Sequence, residues 1–236
     1  MRAAISEIGR FLDAALITRA PGAVPSGGRG VRRRLVVTIT LVLGAVLLWW
    51  ALRIEPGDPA FYAATLALAA LWVLGAFASG PLHLGHSTTR SGGEPGRAVV
   101  QSLVLGTGLL GIFLVGAVAV AQMPWLRQNV LDLLDHAGEG RWWIVLLVTA
   151  VNGVAEEIFF RGAAYAALPA RIAVPGSAVL YALSTVGAGV PLLTFAALVL
   201  GAVTALQRRV TGGVLGPIIT HVIWSGGMLL LLPLVL

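Results

Sequence analysis

Apolar residues run along this chain in long blocks divided by short polar links. A bilayer core takes about 20 residues of helix. Seven blocks approach that length: 35–53, 60–80, 98–121, 142–167, 172–188, 191–207 and 213–234. Each is predicted to be a transmembrane helix, and breakers mark the links between them. "RIEPGDP" closes the first block, "SGPLHLGHSTTRSGGEPGR" parts the second from the third, and "QRRVTGG" precedes the last. Residues 1–20 follow a different pattern. Ile5, Ile8, Leu12 and Ala15/Leu16 recur at i, i+3/i+4, with Arg2, Glu7, Arg10 and Asp13 elsewhere on the wheel. That spacing predicts an amphipathic interfacial helix, followed by a flexible "APGAVPSGGRG" linker. A frayed polar tail fits the same residues. The chain thus divides into an N-terminal helix and Arg-rich linker over 1–34 and one transmembrane domain over 35–236, with no internal repeat.

Composition agrees with the pattern. The chain is 58% hydrophobic and holds only 16 basic and 10 acidic residues among 236, too little polar surface for a soluble domain. The fold class expected is all-α and polytopic, with about seven transmembrane helices. All the basic residues are arginine, which reads as genomic base composition. Seven of them (Arg2, Arg10, Arg19, Arg29, Arg32, Arg33 and Arg34) precede the first block, where they suit anionic lipid headgroups and topology control better than nucleic acid. Placing the N-terminus in the cytoplasm adds Arg90, Arg97, Arg171, Arg208 and Arg209 to the inside. It leaves Arg53, Arg127 and Arg141 outside, a bias of twelve to three. The outer loop 122–141 also carries Asp132, Asp135 and Glu139. With no cysteine, disulfides, thiol catalysis and zinc–thiolate sites are excluded. No cleaved signal is expected, because the first apolar run begins after 34 residues and is too long for one.

Charge inside the apolar blocks changes the picture more. "AEEIFFRG" places Glu156, Glu157 and Arg161 well within 142–167. The glutamates lie about 15–18 Å from the helix's cytoplasmic end at 1.5 Å per residue. An ionisable side chain there costs about 2.5–3.5 kcal/mol and needs a partner or a wet cavity. Glu157 and Arg161 stand at i, i+4 with the acid first, the better order for an intrahelical pair. Glu156 points about 100° away, and a carboxylate left without a cation suits a general base. His221 lies about 12 Å into the last helix, at a comparable depth, with Ser225 four residues on along the same face. Together these groups could activate a water or stabilise an oxyanion. They could equally fasten helices, and residue physics leaves the two readings level. His83 and His86 in "GPLHLGH" read as loop histidines, and His136 beside Asp135 as a solvated pair. The pairs Trp49–Trp50 and Trp142–Trp143 read as interfacial anchors, and Gly106, Gly108, Gly111 and Gly116 as close-packing positions.

"EEIFFRG" resembles the EExxxR signature of the CPBP (CAAX protease and bacteriocin-processing) family of intramembrane proteases, also called the type II CAAX prenyl protease or Abi family. Later family motifs are an aromatic-xxx-His and a His-xxx-Asn. "SAVLYALST" aligns with the first through Tyr181, and "THVIWS" with the second through His221. The resemblance covers a protease-like core at 142–236; that of "RIEPGDPAFY" and "SGPLHLG" is softer. It implies that Glu156 activates the attacking water, that Glu157 with Arg161 orients it, and that His221 binds the oxyanion or a metal. Two positions depart from the family: Thr185 stands where it has histidine, and Ser225 where it has asparagine. Any metal would draw on Glu156 and His221, too few ligands for tight zinc once Glu157 is paired. The expectation is a multi-pass endopeptidase of a bacterial inner membrane, cleaving a membrane-associated peptide or protein and contacting lipid but no nucleic acid. The alternative is a weak or inactive relative that sequesters such peptides. A small transporter fits least, for want of paired broken helices.

Overall fold

The computed structural model of the protein describes residues 2–20, 23, 30–55, 58–86, 98–138 and 141–236, with 2–5, 133 and 135–138 by backbone alone. Arg29, Arg90, Arg97, Glu139, the His136–Asp135 pair and most of the flexible linker fall outside the described residues or side chains.

All regular structure among the described residues is helical. α1 (Arg2–Leu12) runs into a π-turn at Asp13–Ile17. α2 (Val31–Ala51), α3 (Pro59–Ser79), α4 (Val99–Ala121), α6 (Trp142–Ala167), α8 (Pro191–Thr211) and α9 (Leu215–Leu234) are the six helices long and apolar enough to cross a membrane. The fold is therefore all-α and polytopic. The seventh predicted span is the shorter α7 (Ala173–Ala188), whose last turn is 3₁₀. The loop predicted over 122–141 departs from expectation. Residues Pro124–Gly138 form α5, tied to the chain's end by a 2.8 Å hydrogen bond from Arg127 Nε to the Leu236 carbonyl.

Local chemistry explains the other boundaries. Pro59 opens α3, and the Asp58 carboxylate accepts from the Ala60 N–H at 2.8 Å. α2 starts four residues before its predicted 35, because Arg32 and Arg33 are helical and donate to the Ala78 and Ser79 carbonyls at the end of α3. α8 runs past the predicted 207 to Thr211 and stops at Gly212, whose φ of 72° closes the helix. Arg208 and Arg209 thus belong to its last turn instead of a polar link.

Helix pairs α2–α3, α4–α9 and α7–α8 surround α6, which packs on α3 and α9. Lipid removes the aqueous drive to bury apolar area, so such helices associate by close contact and polar pairing. Trp72 stacks on Phe159 at 4.6 Å and lies against Gly44. Of the four glycines expected at helix contacts, only Gly106 meets a neighbour, the backbone of Thr220; Gly108, Gly111 and Gly116 face open space. Trp49, Trp50, Trp142 and Trp143 are exposed near helix ends, as interfacial anchors would be.

Two stretches clamp the α8–α9 turn. The extended segment 80–86 pairs with it through His86 N–H to the Thr211 carbonyl (2.8 Å), Val214 N–H to His83 (2.9 Å) and Leu215 N–H to Leu84 (3.0 Å). From the N-terminal segment, Ala20 N–H donates to Val210 (2.9 Å), while Arg209 Nη2 donates to the Leu16 carbonyl. His83 and His86 have exposed side chains, so it is the backbone of "PLHLGH" that takes part. Gly85 adopts φ 83°, and a Cβ on Gly213 would fall 1.9 Å from the Leu84 carbonyl carbon. Gly213→Ala is expected to part this contact and cost about 1–3 kcal/mol, read as a lower midpoint of thermal unfolding in detergent.

Candidate functional site

Glu156 and Glu157 end the α-helical part of α6, and Ile158–Ala164 continue it as π-helix before Tyr165–Ala167 resume α geometry. Such widened turns recur at functional sites. A return from π to α pairing skips one carbonyl. Tyr165 N–H bonds the Phe160 carbonyl, and the next carbonyl, that of Arg161, accepts from Arg208 Nε at 2.9 Å. Arg208 is thus buried against α6, with its guanidinium 5.2 Å from the Tyr165 ring centre. The sequence reading had counted it among loop charges.

Five side chains from three helices form a line. Arg161 Nε pairs with Glu157 Oε2 at 3.2 Å, both side chains having zero exposure. Glu157 Oε1 lies 2.8 Å from His221 Nδ1. Because a carboxylate only accepts, Nδ1 carries the proton of that bond, which fixes the ring and turns Nε2 outward. Nε2 is 3.8 Å from Glu156 Oε2, and the Tyr181 hydroxyl donates to that same oxygen at 2.5 Å. Arg161 also lies over the Tyr181 ring at 4.9 Å, and its Nη atoms are buried without a hydrogen-bond partner among the described residues. Gly153 lets α9 approach, since a Cβ there would stand 3.3 Å from His221 Cδ2.

Four predicted residues therefore converge: Glu156, Glu157, Arg161 and His221. Two features differ from expectation. Both glutamates address one imidazole despite facing different ways, because His221 stands between them. Glu156 is also not a lone carboxylate. Thr185 does not join the line; its hydroxyl lies 2.8 Å from the Ala182 carbonyl and 3.2 Å from Thr194 Oγ1. Ser225 stands one turn beyond His221, with its Oγ buried and without a hydrogen-bond partner among the described residues. Tyr181, read only as an aromatic alignment point, is the group the sequence reading missed. Its signal was chemical, since a phenol in a buried helix needs a partner for its hydroxyl. A second polar group was also missed: Gln207 donates to Ser102 Oγ at 2.8 Å and accepts from Thr220 Oγ1 at 3.0 Å, joining α4, α8 and α9 beside the site.

The donor set does not fit a resident zinc ion. Both Glu157 oxygens are engaged, which leaves Glu156 and His221 Nε2, whereas catalytic zinc takes three protein ligands. Among the described residues, no group of three His, Asp or Glu is placed to hold a metal.

Residues 138–227 match the family model described as "Rce1-like: Type II CAAX prenyl endopeptidase Rce1-like". This is the family the EExxxR motif resembles, and the matched segment contains all five residues of the line. The match supports intramembrane proteolysis of the CAAX type in general terms. No curated protein and no solved structure matches the chain.

The buried ion pair makes a testable demand. Arg161→Met leaves Glu157 without its cation and is expected to cost about 3–5 kcal/mol. Glu157→Gln combined with Arg161→Met should recover much of that loss. Denaturant unfolding in detergent micelles compares the three proteins.

Proposed function

We propose that this chain is an intramembrane endopeptidase that hydrolyses a peptide bond with water activated by Glu156. The observation carrying this reading is the asymmetry of the two glutamates. Glu157 is fully enclosed and neutralised between Arg161 and His221, while the Glu156 side chain keeps 19% exposure, with only its Oε2 set toward His221 Nε2, at 3.8 Å. Glu156 is the base, and Glu157 with Arg161 orients His221. The imidazole, when Nε2 carries a proton, and the Ser225 hydroxyl are the donors available to an oxyanion.

The chemistry balances with these groups alone. Glu156 takes a proton from water as the water oxygen bonds the scissile carbonyl carbon, and the carbonyl π electrons move to its oxygen. Collapse of that oxyanion breaks the C–N bond, and the proton held by Glu156 passes to the leaving nitrogen. The products are an acid and an amine. The substrate is a membrane-associated peptide or protein segment. The seven arginines before the first apolar block support a cytoplasmic N-terminus, and we assign the chain to a bacterial inner membrane.

A second reading, a relative that holds such peptides without cleaving them, draws on Thr185, whose hydroxyl is taken up by Ala182 and Thr194. Cleavage by the purified chain in proteoliposomes, scored by mass spectrometry on prenylated and plain peptides, separates the two. Glu156→Gln is expected to lower turnover by about 10²–10⁴-fold. Full activity in that variant would remove Glu156 from the reaction, and peptide binding without cleavage by the parent chain would favour the second reading.

A further inference from the structure

Thr185 stands where the family resembled has histidine, and its hydroxyl is spent on α7 and α8. One turn earlier on α7, Tyr181 reaches Glu156 instead. We propose that the Tyr181 hydroxyl is the positioning group for Glu156 in this chain. The proposal rests on the proteolytic reading above, and concerns which residue prepares the base.

Three observations support it. The hydroxyl is bonded to Oε2, and among the described residues nothing bonds Oε1, so one carboxylate oxygen is held and the other is left for water. The ring that carries the hydroxyl is fixed on two sides, by Phe160 at 4.8 Å between ring centres and by the Arg161 guanidinium at 4.9 Å. Arg161 is at the same time the cation of Glu157. One guanidinium therefore sets both glutamates: Glu157 by ion pairing and Glu156 through the Tyr181 ring. Phenylalanine at 181 would keep the ring contacts and lose only the tether. Tyr181 keeps its proton throughout the reaction, donating to Oε2 while Oε1 takes and returns the proton of water.

The test uses Tyr181→Phe in the full chain, with Tyr62→Phe, on α3, as a control. Two readouts are compared. Removing one hydrogen bond to a charged group is expected to lower kcat about 10–100-fold with KM unchanged. The second readout needs no turnover. Dicyclohexylcarbodiimide adds to membrane carboxyl groups, and mass spectrometry locates the adduct, with Glu156→Gln identifying its site. Freed of its tether, Glu156 is expected to label about tenfold faster in Tyr181→Phe, and at the parent rate in Tyr62→Phe. A parent-like labelling rate in Tyr181→Phe overturns the proposal, as does a parent-like kcat. If the parent chain cleaves nothing, the proteolytic reading fails, and the labelling rate alone still decides whether Tyr181 holds Glu156.

Discussion

Glu157 is the residue on which the rest of this molecule depends. A carboxylate with no exposure inside a membrane bundle is sustained only by direct charge and hydrogen-bond partners, and here it has one on each side, Arg161 and His221. The first contact is local and helical; the second draws the last helix onto the central one. The expense of burying Glu157 thus fixes the register of α9 against α6. That register in turn sets the 3.8 Å distance between His221 Nε2 and Glu156 Oε2. The packing around them is permissive: small residues such as Gly153 let the helices approach, but they do not specify where the approach stops.

The π-helical turn after Glu157 belongs to the same design. It places the Arg161 side chain between Glu157 and Tyr181, and presents the Arg161 carbonyl to Arg208. A buried cation on α8 is thereby satisfied by backbone, which is why α8 persists through two arginines that look like a helix end.

Much of the fold was legible because a bilayer writes its demand as length and hydropathy. Six long helices follow from that demand, and Pro59 opens α3 and Gly212 closes α8 as proline and glycine do at helix ends. The amphipathic α5 was not legible in the same way: its arginine, aspartates and glycine read as an aqueous loop, and its tie to Leu236 joins positions 109 apart in the chain. At the site, Glu156, Glu157, Arg161 and His221 stood out because charge inside apolar sequence is conspicuous. Tyr181 did not. A phenol is ordinary in a helix, and its role comes from a neighbour 25 positions away. Thr185 stood out only against the family's pattern, which leaves open where a short hydroxyl turns.

The backbone clamp on the α8–α9 turn bears on how the molecule comes to exist. Its hydrogen bonds join Ala20 to Val210 and His83 to Val214, contacts of very long sequence separation. Loop closure on that scale is slow, and nothing rewards it until both partners are in place. During synthesis, α6 enters the bilayer with its two glutamates and its arginine before any imidazole is available to them. The early helices must wait, with segment 80–86 unpaired, for the ninth to arrive. Assembly of the bundle and completion of the charged line are therefore a single late event, so a half-made chain carries acidic groups in the membrane without the imidazole that joins them.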